Sequence, residues 1–458
     1  MEFTLKTQQL IIPSPLSLPH VVTLSVIDQI VPPAYNPFLY FYAAPATPPP
    51  SASLTHSLAR ALSAFPPVAG RLKPRSNGAG VDVECHNQGA VFVEAHASLA
   101  LHELLNTGNG DVRGGIYQPS HLWDSLAPNP NEEASTDKPL LYTQLTRLGC
   151  GGLVVAVLLH HQVADGVAQD HFVASWSELA RGEPITVHPL LDRKSMQTRS
   201  PPRPSLEHPE YIIHRTMPEA MPDLPSYDTT TDLPPITSRI FEFSREDIQV
   251  LKKRASTEAG GSDHVSTGFQ VLATHIWKHV TKARGGDASQ HIKLAWAIDG
   301  RKRFNPPLPP HYFGNVLFYG LTKGRAGEVM HHTPMRILNA TQRFTDEYMH
   351  SIIDLIAAQD SPALVISPAL VDDNLMILRT TGSVMPSELC ITSWVHFRSY
   401  QVDWGWGSPL FFSTSGSIYE GFVALLPHAD GRSVNAYISL FQLHMDALLS
   451  DVHFCSVQ

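Results

Sequence analysis

His161 ends the longest uninterrupted apolar run of the chain, Gly151-Gly-Leu-Val-Val-Ala-Val-Leu-Leu159, and leads into Gln162-Val-Ala-Asp165-Gly166. The run is short, rich in Val and bounded by glycines, so it predicts a fully buried strand with a histidine at its mouth. Side chains alternate across a strand, which sends His160 and His161 to opposite faces and keeps the pair from chelating one metal. A lone imidazole near neutral pH is best suited to be a general base. A structural histidine at a strand end is the plainer alternative. Asp165 and Gly166 occupy the turn that follows, where Gly permits backbone geometry that other residues resist and Asp bonds to neighbouring amides. For Asp165 the plainer alternative is a helix cap.

The elements around this segment read as mixed α and β. Phe38–Tyr42, Val81–Cys85 and Gly89–Glu94 have strand character, and Ala52–Ser63 has helical spacing. After Gly166 the apolar residues Ala168, Phe172, Val173, Trp176, Leu179 and Ala180 fall three and four apart, and Arg181-Gly182 closes that helix. A stretch rich in Pro, Ser, Thr and Asp over 200–235 separates two halves, 1–199 and 236–458. In the second half, 266–284 has a Ser/Thr start, an apolar face and a basic end, the pattern of a helix. Two other segments draw notice: the basic turn Asp299-Gly-Arg-Lys-Arg303 after the strand-like 292–298, and Asp403-Trp-Gly-Trp-Gly407, whose glycines and tryptophans imply a tight loop. The basic turn is as readily a solvated loop as a site, and a stand-alone loop of the second kind is more often scaffold than active site.

With 458 residues, 43% of them hydrophobic, the chain can bury a large core. A net charge of -9 argues against nucleic acid as a partner. Four scattered cysteines without metal-type spacing fit reduced thiols, and Met1-Glu-Phe-Thr-Leu-Lys6 lacks the apolar core of a signal peptide. No apolar stretch reaches the roughly 18 residues of a membrane span. The expectation is a cytosolic protein without membrane contact, metal or bound cofactor.

Taken in order, these segments resemble the BAHD family of CoA-dependent acyltransferases, marked by His-x-x-x-Asp near mid-chain and Asp-Phe-Gly-Trp-Gly towards the C-terminus. The matches span nearly the whole chain: His161 to Asp165, Asp403 to Gly407 with Trp404 in place of Phe, Pro66–Leu72, Ser175–Gly182, Leu191–Arg193, Asp299–Arg301, Tyr312–Asn315 and Ile391–Trp394. Tyr40–Tyr42, His275–Trp277, Lys282–Arg284 and Tyr419–Gly421 look most like the hydroxycinnamoyltransferases that acylate shikimate or quinate.

The resemblance implies an α/β fold of two chloramphenicol-acetyltransferase-like domains, each a mixed sheet flanked by helices, with a channel between them. It implies a monomer that uses acyl-CoA as co-substrate and a small-molecule acceptor. His161 would be the base, and Asp165 would turn away from it to pair with Arg301. The loop of Asp403, Gly405, Trp406 and Gly407 would shape the CoA side of the channel. Trp406 or Thr392 would serve the oxyanion, while Ser266 and Thr267, otherwise a plain N-cap, would bind CoA. Tyr35, Phe38, Tyr40, Thr392 and Trp394 would line the acceptor site, and an ungapped match from Thr392 places a carboxylate-binding arginine at Arg379. Tyr35 and Phe38 stand where the shikimate-acylating relatives have His and Ser. The expected pairing is therefore an aromatic acyl-CoA with a hydroxylated carboxylic acid that need be neither shikimate nor quinate. An alcohol or amine acceptor without a carboxylate is the alternative. A condensation domain using carrier-bound substrates shares the His-His-x-x-x-Asp-Gly motif, and the Asp403 loop speaks against it.

Overall fold

The computed structural model describes residues 3–457 apart from 48, 77, 79, 106–115, 118–122, 131–136, 214–234, 259–265, 286–288, 290, 326–331, 360–364, 367–387 and 416–419. Two large mixed sheets organise them. The six strands of the first lie in the order Phe3–Ile11, Ala90–Ala97, Leu141–Leu148, Leu153–His160, Tyr35–Tyr42, Phe411–Ser413. In the second, the order is Leu317–Arg325, His291–Asp299, Glu388–Ser393, Phe422–Pro427, Val434–Phe441, Ile236–Phe243, Ile116–Tyr117. Every residue of Leu153–His160 is buried, because the strand has paired neighbours on both edges and packing on both faces.

The helix Gly166–Ala180 packs on Ser51–Ala64, where the Trp176 indole donates to Ser57 Oγ at 3.1 Å. The helix Gly268–Ala283 starts on a capping box between Thr267 and Gln270 and presents Leu272, Ile276 and Val280 to the second core.

The chain does not divide cleanly between the sheets. Phe411–Ser413, from the second half, completes the edge of the first sheet against Tyr35–Tyr42, and Ile116–Tyr117, from the first half, extends the second sheet beside Ile236–Phe243. Phe313 likewise enters the first core, its ring 5.1 Å from Phe65. The described part of the Pro-rich crossover is pinned to the second half. Asp354, on the helix Asp346–Ala357, accepts from Arg199 Nε and from the Arg203 amide, and Ser351 Oγ accepts from the Ser205 amide. The rest of that crossover, 214–234, lies outside the described residues, as do Arg379 and Tyr419. Among the described residues no helix is long and apolar enough to cross a membrane.

The exchanged strand predicts coupled stability. Phe412 is fully buried, with its ring 5.0 Å from Tyr40 and 5.4 Å from Phe38. Phe412→Ala is expected to cost about 3–5 kcal/mol. Denaturant unfolding followed by both near- and far-UV circular dichroism should still give one coincident transition, because each half needs the other's strand.

Candidate active site

His161 leaves its strand with its amide donating to Ala34 O at 2.8 Å, and its imidazole is half-buried. Nδ1 lies 3.1 Å from Asn315 Oδ1. The Asn315 amide has only one sensible orientation, since Nδ2 donates to Asp28 Oδ1 at 2.8 Å and to His161 O at 2.8 Å. Its oxygen therefore faces the ring. An oxygen acceptor at Nδ1 fixes the proton there and leaves the lone pair on Nε2. Burial pushes the imidazole below its ordinary value of 6.5, against the opposing influence of Asp165, Asn315 and Asp28. His160 points elsewhere and is held neutral to about 4 by burial and by its neighbour.

Asp28 anchors this arrangement from beneath. It is wholly buried in the helix Val26–Ile30, where Oδ2 accepts from the Ser25 amide and hydroxyl at 2.8 Å each. Oδ1 accepts from the Asn315 amide at 2.9 Å and from Arg193 Nη1 at 3.1 Å. Arg193 then reaches the histidine loop itself, donating to Val163 O at 2.8 Å. The space is fully used: a Cβ on Gly314 would lie 1.5 Å from Arg193 Nη1.

Asp165 turns away from the imidazole. Its Oδ2 and Oδ1 accept from Arg301 Nη1 at 2.8 Å and Nη2 at 2.9 Å, a bidentate pair, and also from the amides of Val316 at 3.0 Å and Ala168 at 3.0 Å. Asp165 is thus a helix cap and an ion-pair partner at once. Burial alone would raise its carboxyl, and Arg301 with the two amides holds it below the ordinary range. Arg301 also donates to Gly314 O at 2.9 Å.

Gly166 corrects one expectation. It does not have a positive φ and simply begins the helix, but a Cβ there would meet Phe397 Cζ at 2.8 Å and Trp394 Nε1 at 3.4 Å. The glycine is required by close approach. Phe38, Tyr40 and Trp394 do come together here, with ring centroids of Phe38 and Trp394 5.0 Å apart and Phe397 stacked on Trp394 at 5.8 Å. Tyr35 is excluded from that wall. Three residues before Phe38, it faces the other side of the strand, edge-on to His160 at 5.0 Å, with its hydroxyl donating to Pro139 O at 2.6 Å. Thr392 is half-buried in Glu388–Ser393, opposite Ala424.

The Asp403 loop is closed by its own carboxylate, which accepts from the amides of Gly405 and Gly407 at 2.8 Å each. Both glycines have φ of 98°, a conformation that other residues resist. Arg181 donates to Asp403 O, Trp404 Nε1 donates to Tyr42 Oη at 2.8 Å, and Trp406 stands edge-on to Tyr42 at 5.9 Å. This loop is built against the first core.

A cleft of about 400 Å³ lies beyond Trp394, lined by Arg245, Ile248, Gln249, Lys252, Gly268, Val395, Arg432 and Val434. It has three cations and no carboxylate. Gly268 follows Ser266 and Thr267, so the start of that helix opens onto the cleft; Thr267 Oγ1 meanwhile accepts from the Gln270 amide at 3.3 Å, and Ser266 is buried. No group of three His, Cys, Asp or Glu side chains that could hold a metal occurs among the described residues.

The model of the Transferase family matches residues 1–454. A hydroxycinnamoyl-CoA:5-hydroxyanthranilate N-hydroxycinnamoyltransferase of Avena sativa is 35% identical over 449 residues, covering 93% of this chain and 95% of the relative. A shikimate O-hydroxycinnamoyltransferase of Nicotiana tabacum is 31% identical over 430 residues, covering 92% of each. In structure, TRI101 of F. graminearum complexed with coenzyme A and deoxynivalenol superposes with a TM-score of 0.72 at 18% identity, covering 95% of this chain and 98% of that one. The chain belongs to the Transferase family, the BAHD acyltransferases. It is an acyltransferase with the two-domain α/β fold of that family.

Sequence reasoning assigned no role to Asn315, Asp28 or Arg193. Asn315 and Arg193 did fall inside recognised segments, and Ser25 with Asp28 has capping-box spacing, but nothing local connects positions 28 and 315.

The ion pair gives a direct test. Asp165→Ala and Arg301→Ala should each lose about 3–5 kcal/mol, since each strands a buried partner charge. The double variant should fall well short of the sum in chemical denaturation. Full additivity would mean that the contact contributes nothing shared.

Proposed function

We propose that the protein transfers a hydroxycinnamoyl or similar aromatic acyl group from its CoA thioester to a hydroxyl or amine of a small acceptor, with His161 as general base. The observation that carries this reading is the contact between Nδ1 and the Asn315 oxygen, from which the lone pair on Nε2 follows. Nε2 takes the proton from the acceptor as its oxygen or nitrogen attacks the thioester carbonyl carbon. A tetrahedral oxyanion forms. As it collapses, the C–S bond breaks, and the imidazolium returns the proton to the departing thiolate. No acyl-enzyme is needed. Asp165 and Arg301 hold the loop, and Asp165 reaches the imidazole only through its charge.

For the oxyanion we propose Trp406 or Thr392 as donor. We place the phosphates of CoA in the basic cleft, where Arg245, Lys252 and Arg432 supply positive charge and the helix start at Ser266 and Thr267 adds its amides. Val395 lines that cleft while Trp394, its neighbour, faces the aromatic wall beside Gly166. One short segment therefore separates a phosphate end from an aromatic end. The wall of Phe38, Tyr40 and Trp394 is the proposed acceptor side. An acceptor carboxylate gripped by Arg379 remains part of the proposal, and the two relatives above, one acting on an amine and one on a hydroxyl, support both acceptor types.

Acyl-CoAs should be assayed against alcohols and amines by thiol release, with mass spectrometry of the products. Aromatic acyl-CoAs should give an ester or amide, and thiol release without acylated product would indicate a hydrolase instead. With the best pair, His161→Ala should lose at least about 100-fold in kcat, within the range a positioned base supplies. Asn315→Leu should lower kcat while the KM for acyl-CoA stays near the native value.

The pH profile follows from the depressed histidine. A base works when neutral, so activity rises with pH through its pKa, and burial sets that pKa below 6.5. The acidic limb of kcat/KM should therefore be complete before neutrality. A limb centred above 6.5 would remove His161 as the titrating base.

A further inference from the structure

Asp170 lies one turn beyond Gly166 on the same helix face. Where Gly166 meets Trp394 and Phe397, Asp170 meets the next residues of that segment: its Oδ2 accepts from the Arg398 amide at 3.2 Å. Its Oδ1 is buried and has no hydrogen-bond partner among the described residues. From the neighbouring strand the Tyr40 hydroxyl approaches, close enough to feel the Asp170 charge and beside the Ser399 hydroxyl. The two hydroxyls bond to each other, and neither has a hydrogen-bond partner outside that pair among the described residues. Asp170 is 7% exposed, and Tyr40 and Ser399 are fully enclosed.

A buried carboxylate oxygen without a partner, set beside two hydroxyls that bond only to each other, leaves hydrogen-bonding capacity unused, whereas interiors built only for stability pair their polar groups. Their surroundings sharpen the point. The wall they interrupt is otherwise aromatic, made of Phe38, Phe412, Trp394 and Phe397. Burial raises the Asp170 carboxyl to about 6 despite the Arg398 amide and charge, so its ionised form is poorly compensated within the protein. A carboxylate accepts, whereas a hydroxyl both donates and accepts. A ligand O–H or N–H directed at Oδ1 would satisfy the carboxylate while the ligand heteroatom accepts from Tyr40 or Ser399.

We propose that Asp170, Tyr40 and Ser399 form a subsite for a second hydrogen-bond-donating group of the acceptor, a hydroxyl or an amino group other than the one acylated, and that this subsite sets acceptor choice. The proposal rests on reading the aromatic wall as the acceptor side. An acceptor with a bare C–H at that position would leave Asp170 unpaired and be rejected.

Calorimetric binding of matched acceptors, without acyl-CoA, tests this. One series is anthranilate, 5-hydroxyanthranilate and 5-aminoanthranilate; the other is shikimate and its singly deoxygenated analogues. The native protein should favour the member with the extra donor by on the order of 10- to 100-fold. Whether the hydroxy or the amino member gains more identifies the group received. Asp170→Leu should bring that ratio close to one, and Tyr40→Phe should reduce it in part. If the leucine variant fails to fold, Asp170→Asn replaces it, and the ratio should still fall because the charge is gone. Equal affinities within each series for the native protein, or a ratio that survives at Asp170→Leu, would overturn the subsite alone. Failure of every acceptor in both series to bind would overturn the acceptor-side reading beneath it.

Discussion

Two buried carboxylates, Asp28 and Asp165, hold one loop of the second half against the histidine loop of the first. Asp165 takes Arg301 and the Val316 amide, and Asp28 takes both nitrogens of Asn315 and, through Arg193, the Val163 carbonyl loop. Everything proposed for His161 depends on this clasp. Buried ion pairs are expensive to desolvate and often no better for stability than apolar packing of the same volume. Their advantage here is geometric. A bidentate guanidinium admits one arrangement of its partner, and an asparagine bonded at both ends of its amide admits one rotamer. The imidazole inherits that definition.

Position along the chain says little about which contacts matter. The leading strand, the helix after it and the helix beginning at Gly268 were legible because burial has a local period: apolar runs for an enclosed strand, three-and-four spacing for a helix packed on one face. The pairing of Asp165 with Arg301 was accessible only through family resemblance, since both have plausible local roles as a cap and a solvated turn. Asn315 with Asp28, 287 positions apart, had no local trace at all. The exchanged strands at Phe411 and Ile116 were likewise illegible, because a two- or three-residue strand has no periodicity to detect.

The errors are equally physical. At Gly166 the turn suggests a backbone requirement, and the actual requirement is steric, imposed by aromatic rings arriving from the far half of the chain. Tyr35 and Phe38 both stand where the family resemblance expects acceptor residues, yet three residues along a strand reverses the face. In each case the sequence position was right and the direction of the side chain was what the third dimension supplied.

On the proposed reading, the same scaffold would let one base serve different acceptors. The groups that lock the loop of His161, namely Asp165, Arg301, Asp28 and Asn315, are separate from the wall formed by Phe38, Tyr40, Trp394 and Phe397, so changes in the wall would leave the proposed chemistry at Nε2 in place. That wall hangs on a segment whose other side, at Val395, borders the basic cleft. Under that reading, replacing a single wall residue would alter which acceptor is held without disturbing either the clasp or the cationic end. On the proposed reading, acceptor choice would follow from a few enclosed side chains, and a carboxylate such as Asp170 in an aromatic surface would have far more influence there than an exposed charge, because its free oxygen is buried in a low dielectric.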